Sequence, residues 1–224
     1  MVRYGWQFFF LALATLAIPA CGGGGNDSSS STGSSQPLFK ETFDGAFPGT
    51  SWSAPFSAGS GTSLQIDSSG GDPALRMTST DDPAFVGTTT MASFSSRPIT
   101  VAVQMSATGS GEGSGGIAIL DHTGASIAAA EWHAATPSAL TFRILTATNP
   151  TPVAVPLPGS GFHTFTFTCT SSGDAQWLLD GTPVMSKSGF PSDMVRVQIY
   201  DNISSSGGSS FAEFRFDDVT VTSP

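Results

Sequence analysis

Residues Phe162 to Thr170 read F-H-T-F-T-F-T-C-T. In an extended chain Phe165, Phe167 and Cys169 fall on one side and Thr164, Thr166, Thr168 and Thr170 on the other. That period of two belongs to a strand with one buried face. The residue types agree, since aromatic and β-branched side chains pack well on a pleated surface. The alternation recurs outward in both directions. Thr100 to Ser106 sets Val101, Val103 and Met105 on one side; Val195 to Asp201 alternates Val195, Val197 and Ile199 with Arg196, Gln198 and Tyr200. Between them, Leu178-Leu179-Asp180-Gly181-Thr182-Pro183-Val184 holds an Asp-Gly pair between apolar stretches, a strong hairpin signal because a type I′ turn needs positive φ at both central positions. Ile127 to Ala135 is alanine-rich, but Gly124 and Pro137 leave room only for a short helix, and we read it as a strand. About eleven or twelve strands between Leu38 and Thr222 predict an all-β, two-sheet antiparallel sandwich.

Composition narrows the function classes. The 224 residues carry 8 Lys+Arg against 17 Asp+Glu, a net charge of −9, and charged residues make up only 11%, against about 25% in an ordinary globular domain. Polar surface must therefore come from Ser and Thr, which suits strands and turns. Lys40 and Lys187 are the only lysines, so nothing draws the chain to a polyphosphate and nucleic acid is excluded as a partner. Two cysteines, Cys21 and Cys169, cannot build the disulfide framework of a small secreted module.

The first 37 residues read as export and tether. Arg3 precedes an apolar run from Phe8 to Ala17 that ends in small residues before Cys21, the pattern of a secretory signal over residues 1–20. The run is shorter than the roughly 20 apolar residues of a membrane-spanning helix. Leu16-Ala17-Ile18-Pro19-Ala20-Cys21 resembles the bacterial lipobox, which implies cleavage before Cys21 and acylation of its thiol and new amino terminus. Several acyl chains make such an anchor stable. Residues 21–37 continue as a Gly/Ser-rich linker, G-G-G-G-N-D-S-S-S-S-T-G-S-S-Q-P after Cys21, with an r.m.s. reach of roughly 20 Å. Gly22 rather than Asp follows the cysteine, which by the same resemblance implies the outer membrane of a Gram-negative envelope. The folded domain is expected over residues 38–224.

Three segments of that domain carry a family resemblance. Phe39-Lys40-Glu41-Thr42-Phe43-Asp44-Gly45 with Trp52, the hairpin from Trp177 to Val184, and the closing Phe214-Arg215-Phe216-Asp217-Asp218-Val219-Thr220-Val221 are similar to the first strand, a recurrent hairpin and the last strand of concanavalin A-like (laminin-G-like) jelly rolls. The resemblance implies that the first and last strands lie side by side. It does not select an activity, because such sandwiches host lectins, glycan-binding modules, glycosidases, polysaccharide lyases and adhesion domains. The glucanases among them carry Glu-x-Asp-x-x-Glu on one strand, and that string is missing here; Glu41-Thr42-Phe43-Asp44 has another spacing and sits at the domain edge. No Gly-x-Ser-x-Gly elbow, His-Glu-x-x-His or phosphate-binding loop occurs, and Cys169, in phase with Phe165 and Phe167, reads as an inert core thiol.

One polar cluster remains. Ser126 to Ala134 and Ala139 to Thr148 flank Thr136-Pro137-Ser138. A hairpin with Ala135 opposite Ala139 would set Glu131 against Arg143 and His133 against Thr141 on one side. Ala128, Ala130, Trp132, Phe142 and Ile144 then fall on the other. This is either a solvated cross-strand ion pair or a ligand-binding patch for sugar hydroxyls, extended by Gln104, Arg196, Gln198 and Tyr200. Trp52, Trp132 and Trp177 read as core, leaving Tyr200 as the candidate exposed aromatic. The expected function is thus a lipid-anchored, non-catalytic module that binds glycan or an envelope protein. The alternatives are a divergent glycoside hydrolase or polysaccharide lyase using Glu131, His133 and Arg143, and a purely structural component.

The phase of the end strands suggests one cofactor. Glu41 shares a face with Phe39 and Phe43, and Asp217 with Arg215, Val219 and Val221, so both carboxylates are expected inward at the junction of first and last strands. The family resemblance implies a structural calcium there, as some related sandwiches hold, and Ca²⁺ would satisfy carboxylates that cannot be buried unpaired. An Arg215–Glu41 ion pair does the same without a metal, and a bulge at Asp217-Asp218 would exchange which of Asp217 and Asp218 turns in.

Overall fold

A computed structural model describes residues 36–59, 61–80, 83–95, 97–111, 113–133, 140–145, 151–156, 159–190, 194–203 and 210–223. The signal segment, Cys21 and nearly all of the linker lie outside them, as does the Thr136-Pro137-Ser138 turn. The elements are β1 (Phe39–Glu41), β2 (Phe56–Ala58), β3 (Thr62–Asp67), β4 (Ala74–Ser79), β5 (Ala84–Thr89), β6 (Phe94–Ser95), β7 (Ile99–Ser110), β8 (Gly113–Leu120), β9 (Ser126–His133), β10 (Leu140–Ile144), β11 (Val153–Val155), β12 (His163–Cys169), β13 (Ala175–Leu179), β14 (Thr182–Lys187), β15 (Met194–Ile203) and β16 (Phe211–Thr222). No helix occurs among the described residues. Sixteen strands occur among the described residues, against the eleven or twelve expected, because β1, β2, β6 and β11 have only two or three residues, too few to show a period.

Two antiparallel sheets stack. The first runs β14-β13-β12-β7-β16-β4-β3 with β1 on β16; the second runs β11-β10-β9-β8-β15-β5-β2 with β6 on β15. The expected neighbours at the two ends of the domain do pair, Phe39 opposite Val221 and Glu41 opposite Val219. The alternation seen in sequence becomes the interior: Val101, Val103, Met105, Phe165, Phe167 and Cys169 from the first sheet meet Val195, Val197 and Ile199 from the second, all buried. Phe142 of the second sheet reaches across to Phe165 and Trp177, each at 6.1 Å between ring centroids. Trp177 also donates its Nε1–H to the Arg143 carbonyl at 3.2 Å, tying the sheets by a hydrogen bond as well as by area. Trp52 and Trp132 are core residues too.

One strand breaks its own phase. Along β16 the inward residues are Ala212, Phe214 and Phe216, then Val219 and Val221. The register against β7 shifts between Asp217 and Thr220, with Asp218 at φ 45°. This bulge adds one residue to one strand, so Arg215 and Asp217 turn away from the core.

Candidate functional site

The outer face of the second sheet collects most of the polar residues singled out above. Its strands align three transverse rows. Thr89, Gln198, Ala118, Ala129 and Arg143 form one; Gly87, Tyr200, Gly116, Glu131 and Thr141 the next; Phe85, Asn202, Ser114 and His133 the third. The middle of this face is floored by Gly116, Ala118 and Ala129, small residues that leave room for larger neighbours to converge above them. Gly116 is held at φ 152°, and a Cβ there would stand 2.1 Å from the Ala130 carbonyl oxygen. Because position 116 has no side chain, Tyr200 reaches over it and donates its hydroxyl to Glu131 Oε1.

The β9–β10 register differs from expectation by two residues. Glu131 lies opposite Thr141, and Arg143 opposite Ala129. A shift of two preserves which side each residue faces, so Glu131 and Arg143 still meet, now diagonally, with Arg143 Nη2 at 3.5 Å from Glu131 Oε1. Both groups are half-buried. Tyr200 departs further from expectation: at 9% exposure it is not an open aromatic. Burial first, then the charge and hydrogen bond of Glu131, raise its phenol well above the ordinary value, so it stays a neutral donor. Glu131 Oε1 thus takes both donors, while Oε2 takes no hydrogen bond from the described residues.

The aromatic surface comes from residues that the sequence did not single out. Phe56 on the edge strand β2 is 37% exposed and stacks on Phe85 at 5.4 Å, and Phe85 stacks on Tyr200 at 6.0 Å. Phe56 lies over Gly87, where a Cβ would meet its ring at 3.0 Å. The result is a strip of three rings leading from the sheet edge to the Glu131–Arg143 pair. His133 and Gln198 occupy the rows on either side of Glu131. Arg196 stands further along β15, beside the turn at Gly124. Gln104 is on the other sheet, where it donates to Asp218 at 2.9 Å, and does not join this face. The sequence pattern gave no signal that Phe56 and Phe85 would meet Tyr200; the pairing of β5 with β15 on one side and β2 on the other decides it.

The junction of first and last strands does not form the expected pair of inward carboxylates. Glu41 does turn inward, but it is satisfied by the Phe43 N–H at 2.8 Å and the Trp52 Nε1–H at 3.3 Å. Asp217 is carried outward by the bulge, and Asp218 bonds Gln104 instead. Arg215 pairs with Asp67 at 2.5 Å, not with Glu41. Among the described residues no three His, Cys, Asp or Glu side chains gather around a point where one ion would sit. The donor set does not fit Ca²⁺, which takes six to eight oxygens.

No protein-family model matches the chain, and no curated protein sequence matches it. Solved structures do share its fold. A prokaryotic β-1,3-1,4-glucanase (lichenase) derived from a mouse hindgut metagenome superposes with TM-score 0.64 at 16% identity, over 83% of this chain and 99% of that one. The catalytic domain of an endo-1,3-β-glucanase (laminarinase) from Thermotoga petrophila gives 0.62 at 10%, over 84% and 97%. A sialidase gives 0.54 at 14% over 74% of this chain, which spans only 16% of the sialidase. At these identities the likeness concerns the fold alone: the described residues form a two-sheet sandwich of the concanavalin A-like jelly-roll kind.

Proposed function

We propose that this domain engages a polysaccharide, with the sugar chain lying across the outer face of the second sheet. The observation that carries the proposal is the strip Phe56–Phe85–Tyr200 running into the Glu131–Arg143 pair over a floor of Gly and Ala. Aromatic rings match the apolar faces of sugars, and a few convergent polar groups fix the hydroxyls. Two readings share this surface. The fold likeness to a lichenase and a laminarinase supports a divergent glycoside hydrolase more than the non-catalytic module that sequence put first, and it names β-glucans as the substrates to try. Against cleavage stands the count of carboxylates, since glycoside hydrolysis ordinarily uses two flanking the scissile bond. Among the described residues Glu131 is the only carboxylate in the three rows. Mixed-linked and β-1,3-glucans should be offered to the purified protein, with binding read by calorimetry and cleavage by new reducing ends. Phe56→Ala should weaken binding about tenfold, the loss of one stacking contact worth ~1–1.5 kcal/mol. New reducing ends that vanish in Glu131→Gln would establish the hydrolase; binding without them would establish the module. Absence of both from a broad glycan panel would defeat the proposal.

The resemblance of Leu16–Cys21 to a lipobox and the Gly/Ser stretch behind it support the rest of the reading: an acylated anchor holds this domain clear of a membrane surface, on the outer membrane.

A further inference from the structure

The interior of the sandwich holds one ionisable group that neither the fold nor the proposed site uses. Asp201 follows Val195, Val197 and Ile199 in phase on β15 and so points inward, where it is 0% exposed. Its register partners are Val86 on β5 and Gly115 on β8, which bring no polar side chain to it. From the opposing sheet comes Ser79 at the end of β4, also fully buried. Neither carboxyl oxygen of Asp201 nor the Ser79 hydroxyl makes a hydrogen bond of ordinary geometry. A buried, unpaired carboxylate is among the costliest groups a core can contain, and the usual escape is to keep the proton.

Charged neighbours favour the same escape. Of the described residues packed around Asp201, only Glu213 of β16 acts on it electrostatically, and Glu213 is negative, so it favours the protonated acid. Glu213 is itself held on the outer face of the first sheet by Arg76 at 2.6 Å. Strands β5 and β8 bring no charge, Arg196 of β15 shares the outward phase of Gln198 and Tyr200, and Asn202 turns its side chain the other way to Ser114. Among the described residues no cation is within reach to neutralise an ionised Asp201.

We infer that Asp201 is a proton-binding site built into the core, a pH-sensitive clasp. As the neutral acid it lets β15 pack against β4; ionised, it loosens the strand whose other side presents Gln198, Tyr200 and Asn202. Burial pushes its carboxyl up to about 7, with the Ser79 hydroxyl and the Asn202 backbone N–H opposing the rise and Glu213 adding to it. In the unfolded chain an Asp releases its proton near pH ~3.9. Between about pH 4 and about pH 7 the folded state therefore holds a proton that the unfolded state has lost. Stability falls as pH rises through that window, by up to about tenfold in the folding constant per pH unit, and levels off above it.

The test compares the full chain with its Asp201→Asn variant in urea unfolding from pH 4.5 to 8.5. Every other titrating group is common to both, so their difference isolates Asp201. The ratio of the variant's folding constant to the wild type's should grow with pH, by about a hundredfold between pH 5 and pH 8. Parallel curves would overturn the inference. Should Asp201→Asn fail to fold, the ¹³Cγ shift of Asp201 in the wild type reads the same proton directly; a midpoint near 4 overturns the proposal and one near 7 sustains it. Amide exchange in β15, corrected for its intrinsic pH dependence, should quicken between pH 6 and 8 more than exchange in β12, and equal changes in the two strands count against a clasp at β15. None of these readings depends on what the outer face binds.

Discussion

Tyr200 shows how much a single position can join. Its ring closes the strip begun by Phe56 and Phe85, and its hydroxyl crosses Gly116 to Glu131. The next residue, Asp201, points the opposite way into the core. Tyr200→Phe keeps the ring and removes the bond. It should cost about 1 kcal/mol in urea unfolding, the ordinary net worth of a hydrogen bond, with more expected where the charged partner is left half-buried. Glu131 then keeps only the diagonal contact to Arg143, so glycan affinity should fall in Tyr200→Phe while Phe85→Leu, which keeps the bond, loses affinity through stacking alone. An unchanged unfolding midpoint in Tyr200→Phe would show that the bond is not formed in solution.

At the scale of elements, turns and bulges decide where side chains point. The hairpin between β13 and β14 turns on Asp180 at φ 50° and Gly181 at φ 76°, the conformation that the Asp-Gly pair foretold. A Cβ at Gly181 would touch nothing within 4 Å. Gly181→Ala should therefore destabilise through backbone strain alone, by about 1 kcal/mol, measurable as a lower urea midpoint with an unchanged m-value. A loss above ~3 kcal/mol would mean that the turn does more than reverse the chain. Asp180 is also engaged by the Thr164 N–H at 2.9 Å and His163 Nδ1 at 2.8 Å, which ties the turn to β12. The bulge in β16 was open to sequence reasoning only as an alternative, since Asp217-Asp218 does not announce which of the two is the extra residue. Its consequence is large: it sends Arg215 and Asp217 outward and dissolves the inward pair on which the calcium expectation rested.

For the whole molecule, the proposed anchor and the fold are separate matters. The anchor we propose rests on the sequence of residues 1–21, outside the described residues, and has its own test. Growth with a labelled fatty acid should tag the protein, and Cys21→Ser should remove the tag and release the protein from the membrane fraction. A tag that survives that substitution would refute lipidation at Cys21. The fold, by contrast, rests on long-range pairing: β16 lies against β4, β7 and β1, and β15 against β5, β6 and β8. Neighbours this distant in sequence close late and slowly.

What the sequence determined by itself is local and periodic. The alternation in Phe162–Thr170, Thr100–Ser106 and Val195–Asp201 fixes strands and their buried sides, because the side-chain period of a strand is two and the core accepts only one face. Asp180-Gly181 fixes a hairpin because few residue pairs adopt its dihedrals. What only the tertiary structure decided is everything set by registers and bulges between strands far apart in the chain. A two-residue shift left Glu131 and Arg143 on the same side but made their contact diagonal; one extra residue in β16 reversed Asp217. Pairing of β5 with β15 and β2 brought Phe56 and Phe85 to Tyr200. Ser79 came to face Asp201 only when the two sheets closed. Such partners are chosen by packing across the sandwich, which no local pattern encodes.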